Sequence, residues 1–398
     1  MTDKKRVFAF FIVNVMIYLA ANFAHPVTPT VIYDLNLPDY MFGLALAVMN
    51  VTMFLFSPFW GKINNYIPYR VSLLISCMGY SVAQFLFGYA QDMAGVIVAR
   101  LLAGIFIGGL FTSILGYISS SSPDEHRGTY LTTYATISSV GGAFGYFIGG
   151  MLGEISVKTA FLAQVALLAI SGICFMFVCT DEKAISGAKL RPRELVKECN
   201  PFAAFAAGKS FLTWTWIKLL SVTCLSYTGY IAFEQVFNYY IKDQFGLSSA
   251  WNGTIKFAVG IISLIANSTV CMYLMKKTDT RKTLTPVLAV ATLAIVGVLL
   301  APNVISFLGI SVVLFAAYSV SIPLTQNMVA DRAGKGNSSI IMGFYQAIRA
   351  IGGMVGALLA GFLYDIHPLV PFVFAAAGFG ISVIGEMLYY KAAKREEA

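Results

Sequence analysis

Apolar residues along this chain fall into long runs that are separated by short polar or charged segments. Most runs hold about 20 residues or more, which is the length that one helix needs to cross the hydrocarbon core of a bilayer. Strands of a membrane barrel would be about 10 residues long and would alternate between apolar and polar positions. The pattern therefore predicts about twelve membrane-spanning helices, near residues 7–33, 40–60, 71–91, 94–118, 128–152, 158–180, 216–241, 254–275, 283–301, 304–328, 338–363 and 368–390.

The composition agrees with a chain that folds in lipid. Of its 398 residues, 58% are hydrophobic and only 12% are charged, whereas a soluble domain carries about 25% charged residues. A secondary transporter, a channel and a membrane-embedded enzyme are the classes that this composition leaves open.

The basic residues are distributed unevenly between the connecting segments. If the N-terminus lies in the cytoplasm, 22 of the 27 lysines and arginines fall on the cytoplasmic side of the membrane. Lys158, Lys242 and Lys256 then fall on the outer side, and Arg100 and Arg349 lie within spans. Cytoplasmic loops carry such an excess of Lys and Arg. We therefore predict a multi-pass protein of the cytoplasmic (inner) membrane with both termini inside, and no nucleic-acid partner for the net charge of +8.

The two halves of the chain resemble each other. Residues 128–152 align with 339–363 at a shift of 211 residues, with identical residues at seven of 25 positions, and the same shift places Arg70 on Arg281. Two repeats of six spans are typical of transporters whose site lies between the halves. The predicted fold is an all-α membrane protein with twelve transmembrane helices in two pseudo-symmetric six-helix bundles.

One long polar stretch interrupts the apolar runs near the middle of the chain. It predicts an N-terminal bundle at 1–180, a cytoplasmic linker at 181–212 and a C-terminal bundle at 213–398.

Three motifs resemble those of the major facilitator superfamily, and most of all its drug/proton antiporter branch. GKINNYIPYR follows span two and matches the family's loop at Gly61 and Arg70, while Asn65 stands at the acidic position and Pro68 at the second glycine. The resemblance implies that this loop controls conformation. An asparagine can still cap a helix, but it cannot form the ion pair of the acidic residue.

The other two motifs lie within spans four and five. IVARLLAGIFIGG places Arg100 inside span four, and GGAFGYFIGG resembles the antiporter signature with Tyr146 in place of its proline. The glycine stripe of span five permits close helix packing, and it comprises Gly141, Gly145, Gly149 and Gly150.

The resemblance implies a secondary active transporter that moves a small amphipathic solute by alternating access. Proton-coupled, multidrug-like efflux is the expected activity. The expected partners are the small-molecule substrate, protons and the lipid bilayer, in a protein that acts as a monomer and needs no cofactor.

Charged residues inside spans are the strongest functional signal, since each costs about 2.5 kcal/mol or more at the centre of a bilayer. Glu234, Arg349 and Arg100 lie well within spans. Glu386 lies near the inner end of span twelve, where its side chain is expected to reach the membrane surface.

Glu234 lies in span seven among aromatic residues. Tyr227, Tyr230, Glu234 and Phe237 are spaced by 3, 4 and 3 residues, which places them on one face of a helix. This face predicts a proton-coupling carboxylate beside substrate-binding rings. The alternative is a structural glutamate that pairs with Arg349.

Further polar and aromatic residues are predicted to line the substrate path. They recur at helical spacing in span one or stand in spans five and eleven, and they are Tyr18, Asn22, His25, Tyr134, Tyr345 and Gln346.

Two further interpretations stay open. Two buried arginines against one buried carboxylate favour an organic anion or zwitterion, whose carboxylate or phosphate would meet Arg100 or Arg349. A channel is a less favoured alternative. So is a membrane-embedded enzyme, because three scattered histidines and one deep carboxylate form neither a metal cluster nor a catalytic pair, and the chain has no P-loop.

Overall fold

The computed structural model describes residues 4–64, 66–180, 200, 202 and 212–397. Every regular element in this part of the chain is a helix, which confirms the predicted all-α membrane fold. Asn65 and nearly all of the predicted linker at 181–212 lie outside the described residues.

The first half of the chain contains seven helices among the described residues. The predicted first span consists of a long helix and a short one, and the list of bounds is α1 Lys4–Phe23, α2 Thr28–Asp34, α3 Met41–Ile63, α4 Tyr69–Gly88, α5 Met93–Ser121, α6 Asp124–Ile155 and α7 Val157–Val178.

The second half begins after the linker. One π-helical turn, Asn267–Cys271, joins two of its helices, and the bounds are α8 Trp214–Asp243, α9 Ser249–Ala266, α10 Met272–Lys277, α11 Thr280–Leu299, α12 Val304–Ile366 and α13 Val370–Glu397.

Eleven helical stretches of the described chain are long and apolar enough to cross a membrane. The predicted span seven, α8, is not among them although it has 30 residues. Its many polar residues explain this, since Lys218, Glu234 and Lys242 interrupt the apolar sequence. Its length still suffices to cross a bilayer, so α8 is the twelfth span.

Helix α12 contains two spans in one continuous helical segment of 63 residues. A straight helix of that length would measure about 95 Å, three times the thickness of a hydrocarbon core. Tyr318 and Arg349 nevertheless line the same cavity. The chain therefore reverses direction between the spanning segments Val304–Val329 and Phe344–Ile366.

The helix starts repeat with the offset seen in the sequence. Helices α4 and α11 begin 211 residues apart, and so do α5 and α12. Even a helix cap is repeated, because Asp92 Oδ1 accepts a hydrogen bond from the Gly95 N–H at 2.8 Å and Asn303 Oδ1 accepts one from the Ser306 N–H at 2.9 Å. These side chains satisfy amide groups that lack a partner within the helix.

The chain divides into two compact units. The first comprises Met1–Leu37, Val48–Pro201 and Gly246–Gly260, and the second comprises Pro38–Ala47, Phe202–Phe245 and Ile261–Ala398. The start of α3 thus belongs to the second unit, and most of α9 belongs to the first.

Glycines allow close helix contacts in the first unit, where α6 packs against α1. A Cβ atom added at Gly145 would lie 2.5 Å from the Leu19 carbonyl oxygen, and one at Gly149 would lie 2.3 Å from that of Phe23. One added at Gly141 would lie 3.0 Å from the Tyr18 Cβ.

The second unit has the same arrangement between α12 and α8. A Cβ atom at Gly352 would lie 2.8 Å from the Cys224 carbonyl oxygen, and one at Gly356 would lie 2.4 Å from that of Thr228. Because these positions are 211 residues beyond Gly141 and Gly145, the packing follows the internal repeat.

Each unit also contains a carboxylate on one helix that accepts a hydrogen bond from the start of another helix. In the first unit, Glu154 Oε1 accepts a hydrogen bond from the Ala250 N–H at 3.0 Å. In the second, Asp365 Oδ1 accepts one from the Tyr40 N–H at 3.0 Å, and the Tyr40 ring stacks on Phe362 at 5.1 Å. The bond in the first unit lies beside a glycine contact, since a Cβ atom at Gly150 would lie 2.5 Å from the Ser249 carbonyl oxygen.

Candidate functional site

Arg349 is held among tyrosines in the second unit. Its guanidinium carbon lies 4.4 Å from the centre of the Tyr227 ring and 5.8 Å from that of Tyr345, within the range of a cation–π contact. The guanidinium also hydrogen-bonds to Tyr318. Rings and hydroxyl groups thus surround a cation that the sequence predicted inside a span.

A small cavity opens beside these residues. Helix α8 contributes Thr223 and Ser226, and the two spans of α12 contribute Tyr318, Ser321, Ile322, Thr325, Tyr345 and Arg349. Most of the lining side chains bear hydroxyl groups. The cavity can therefore donate and accept hydrogen bonds around a fixed positive charge and aromatic faces.

Glu234 lies on α8, half-buried, one helical turn after Tyr230. Its charge acts on Tyr227, the ring that also contacts Arg349. Tyr230 stacks on Tyr318 with the ring centres 3.9 Å apart. The carboxylate therefore shares its tyrosine neighbours with the cavity, and direct pairing with Arg349 stays a prediction.

Phe237, predicted on the same face as Glu234, lies deeper in the fold. It is 0% exposed and stacks on Phe307 with the ring centres 5.8 Å apart. Gln346 carries an exposed side chain, while the neighbouring Tyr345 is 1% exposed. The predicted substrate contacts of Phe237 and Gln346 stay predictions.

A second cluster of predicted residues lies in the first unit, between α1 and α6. The Tyr18 hydroxyl donates to the Tyr134 hydroxyl at 2.5 Å, and the Tyr18 ring stacks on Phe111 at 5.7 Å. Asn22 Nδ2 donates to the Tyr18 carbonyl oxygen at 2.8 Å. Three of the predicted lining residues are thus adjacent to one another.

His25 and Tyr146 stack with ring centres 5.3 Å apart. The Lys256 ammonium group lies 5.8 Å from the centre of the same Tyr146 ring, and Lys256 is only 5% exposed. The placement of Lys256 on the outer side of the membrane stays a prediction. The helix that carries it, α9, begins at Ser249, earlier than the predicted span at 254–275, because the polar sequence SSAWNGT concealed this helix start.

Arg100 is buried in the first unit. Its guanidinium lies 3.8 Å from the centre of the Phe87 ring, donates to Thr28 Oγ1 at 3.3 Å and approaches Met49 Sδ at 3.7 Å. One nitrogen, Nε, has no hydrogen-bond partner among the described residues. Arg100 therefore already has three neighbours, and its substrate contact stays a prediction.

The loop after span two is only partly described. Gly61 is in ordinary contact with Thr112, since an added Cβ atom would lie 3.7 Å from it, and Arg70 lies exposed in the first turn of α4. The neighbour of Asn65, Asn64, exchanges hydrogen bonds with Ser113 of α5 at 3.2 Å. The sequence did not predict this contact, because nothing in the motif distinguishes the two asparagines.

The position of the Glu386 side chain differs from the prediction. It is 0% exposed, so the expectation that it reaches the membrane surface is wrong. At the neighbouring Gly385, α13 packs closely against α8, since an added Cβ atom would lie 3.0 Å from the Val222 side chain.

Comparison with known proteins adds evidence from outside the chain. The family model described as Major Facilitator Superfamily matches residues 10–357. The quinolone resistance protein NorA of Staphylococcus aureus (strain COL) is 23% identical over 387 residues, which cover 96% of this chain and 95% of that protein. The multidrug resistance protein 1 of Bacillus subtilis (strain 168) is 21% identical over 368 residues, which cover 92% and 91%.

A solved structure shares the fold. The crystal structure of a bacterial homologue of the human lysosomal transporter Spinster aligns with a TM-score of 0.74 and 13% identity, and the alignment covers 99% of this chain and 96% of that chain. Because the family model matches most of the sequence and the helices repeat as two sets, the chain is a membrane transporter that belongs to the Major Facilitator Superfamily.

Proposed function

We propose that the chain exports small amphipathic compounds across the cytoplasmic membrane in exchange for protons. It acts as a monomer by alternating access, with both termini in the cytoplasm. The observation that carries this proposal is the cavity beside Arg349, whose tyrosines also lie next to Glu234 on α8. The names of the relatives in Staphylococcus aureus and Bacillus subtilis, which refer to quinolone and multidrug resistance, support the same substrate class.

The walls of the cavity suit an amphipathic compound. Tyrosine rings such as Tyr318 and Tyr345 offer flat apolar faces, and their hydroxyl groups offer hydrogen bonds. The empty space in this conformation is about 200 Å³, below that of a typical site for a drug-sized compound, so a ligand can bind through its rings once the walls move apart. Such binding tolerates many compounds of similar size.

Glu234 supplies the group for proton exchange. Its carboxylate is half-buried and acts on Tyr227, the ring that also contacts Arg349. A ligand that displaces these rings, or a conformational change that opens them to water, therefore changes the surroundings of the carboxylate, which is the requirement for exchange.

We expect proteoliposomes that contain the purified protein to accumulate norfloxacin, a quinolone, when an imposed pH gradient makes their lumen acidic. A protonophore should abolish the accumulation, because the gradient supplies its free energy. The measurement is the fluorescence of internal norfloxacin, with liposomes that lack protein as the control. Accumulation that the protonophore leaves unchanged would contradict proton coupling, and ion conductance without solute would indicate a channel.

The second candidate is a transporter of organic anions or zwitterions. The position of Arg349 in the wall of the cavity favours it, because a guanidinium binds a carboxylate through two parallel hydrogen bonds.

The arginine candidates can be compared directly by alanine substitution. With the zwitterion norfloxacin, Arg349→Ala is expected to lower the apparent affinity at least tenfold, since a charge-assisted hydrogen bond contributes about 1.5–3 kcal/mol. Arg100→Ala should chiefly lower thermal stability, because its guanidinium packs on Phe87 and Thr28. Unchanged transport of norfloxacin and of a simple organic anion in both variants would refute recognition by the arginines.

A further inference from the structure

A buried carboxyl group lies in the second half of α13, eleven residues before the helix ends at Glu397. Glu386 is 0% exposed, and both carboxyl oxygens lack a partner within the part of the chain that the structure describes. Its helix packs against α8 and α11. The side chain of Val222, on α8, lies beside the neighbouring Gly385.

The charged and titratable groups of the surrounding helices are few. Tyr389, one turn further along α13, interacts electrostatically with Glu386, with Arg332 of α12 and with Arg281 of α11. Helix α8 contributes Lys218, whose charge acts on Glu396 near the end of α13. These groups are Tyr389, Arg332, Arg281, Lys218 and Glu396.

Arg332 is one of the two arginines whose charge acts on Tyr389, and its own ion-pair partner is a different glutamate. It forms an ion pair with Glu396, whose other carboxylate oxygen accepts a hydrogen bond from Thr215 at 2.5 Å. The Arg332 guanidinium also lies 5.6 Å from the Trp216 ring and 6.0 Å from the Tyr389 ring. Tyr389 thus interacts both with Glu386 and with an arginine that pairs with a different carboxylate.

An ionised carboxylate is stabilised by water, by donors or by an opposite charge. Glu386 has no water access and no donor here, and a buried charge without these partners is strongly unfavourable. A neutral carboxylic acid avoids most of that penalty. The packing around Glu386 therefore accommodates the protonated form.

We propose that Glu386 is a second proton-binding site of this transporter, occupied in the conformation described here. When a change of conformation gives Glu386 access to water, the O–H bond of the acid breaks and the proton passes to water. The resulting carboxylate attracts Arg332 past Tyr389 and away from Glu396. This extends the proposed proton exchange, but the protonation itself is independent of any exported compound.

Infrared spectroscopy of the purified protein tests the protonation directly. The carbonyl stretch of a protonated carboxylic acid should be present at neutral pH, shift in D2O, and disappear only at alkaline pH. It should persist in Glu234→Gln and be lost when Glu386→Gln is added to that variant. The matched control is Glu396→Gln, the same change on the same helix at an exposed, ion-paired position, which should leave the band intact.

Tryptophan fluorescence tests the link to Arg332. Fluorescence that depends on Trp216, identified by its loss in Trp216→Phe, should change over the same pH interval in the native protein and stay constant in Glu386→Gln. A Glu386→Asp variant should shift the infrared band if the glutamine variant does not fold. If the native protein shows no protonated carboxyl band at neutral pH, or if the band survives in Glu386→Gln, the proposal is wrong.

This result is separable from the proposed function. Failure of Glu234→Gln to affect proton-driven accumulation would refute the export mechanism and leave the Glu386 band unchanged. Absence of the Glu386 band would remove the second site and leave proton-driven export by Glu234 intact.

Discussion

Substitution of Glu234 by glutamine should abolish proton-driven accumulation of norfloxacin. Glutamine keeps the size and hydrogen-bonding capacity of the side chain, but it cannot bind and release a proton. Exchange through this position then stops, because neither direction of the pH gradient can change the charge of the cavity. We expect a loss of at least a hundredfold in the rate that depends on the gradient.

Binding should survive the same substitution. The rings and hydroxyl groups around Arg349 remain in Glu234→Gln, so norfloxacin added to the detergent-solubilised protein should still raise its melting temperature. Counterflow without a pH gradient should also persist, since it needs only binding and alternating access. These two measurements separate a loss of coupling from a loss of fold.

A matched carboxylate provides the control. Glu154→Gln makes the same chemical change at a carboxylate that accepts a hydrogen bond from the Ala250 N–H, and we expect it to keep pH-driven transport. If Glu234→Gln transports norfloxacin with unchanged pH dependence, then Glu234 is a structural residue. The ion pair with Arg349 would then be the better explanation of its position.

Alanine at Gly145 should strongly destabilise the first unit, whereas alanine at Gly142 should be tolerated. The added Cβ atom would lie 2.5 Å from the Leu19 carbonyl oxygen in the first case and 3.5 Å from the Asn22 side chain in the second. A backbone atom cannot move without shifting its helix, so α6 and α1 must separate. Such overpacking costs about 1–3 kcal/mol or more.

Thermal unfolding of the solubilised protein would measure the difference. We expect the melting temperature of Gly145→Ala to fall by several degrees, and Gly149→Leu to yield no folded protein. Gly356→Ala should behave like Gly145→Ala because its Cβ atom would lie 2.4 Å from the Thr228 carbonyl oxygen. Equal stability of Gly142→Ala and Gly145→Ala would show that the two helices adjust freely.

The fold could be predicted largely from the sequence, because the thickness of the bilayer sets the length of each apolar run and the positions of Lys and Arg indicate the orientation. The repeat shift of 211 residues seen in the sequence recurs in the helix starts, of which Met93 and Val304 are one example. Individual side-chain depths were harder. Helices that are apolar on all sides give no periodic signal of which face is buried, and the burial of Glu386 followed from such a face.

Contacts between residues that are far apart along the chain could not be predicted from the sequence either. Tyr318 stands in an apolar run, 31 positions before Arg349, and only the reversal of α12 brings it to the guanidinium. Tyr227 and Tyr345 could be predicted as lining residues because each lies near a charged residue of the same span. Tyr318 has no such neighbour in the sequence, so only the structure shows that it lies beside Arg349.

The two carboxylate caps have a consequence for how repeated halves can diverge. In both, the donor is a main-chain N–H, of Ala250 in one unit and of Tyr40 in the other. A main-chain donor makes no demand on the side chain that accompanies it. The residue at this position can therefore make a further contact, as the Tyr40 ring does with Phe362, while both units keep a main-chain hydrogen bond at the helix start.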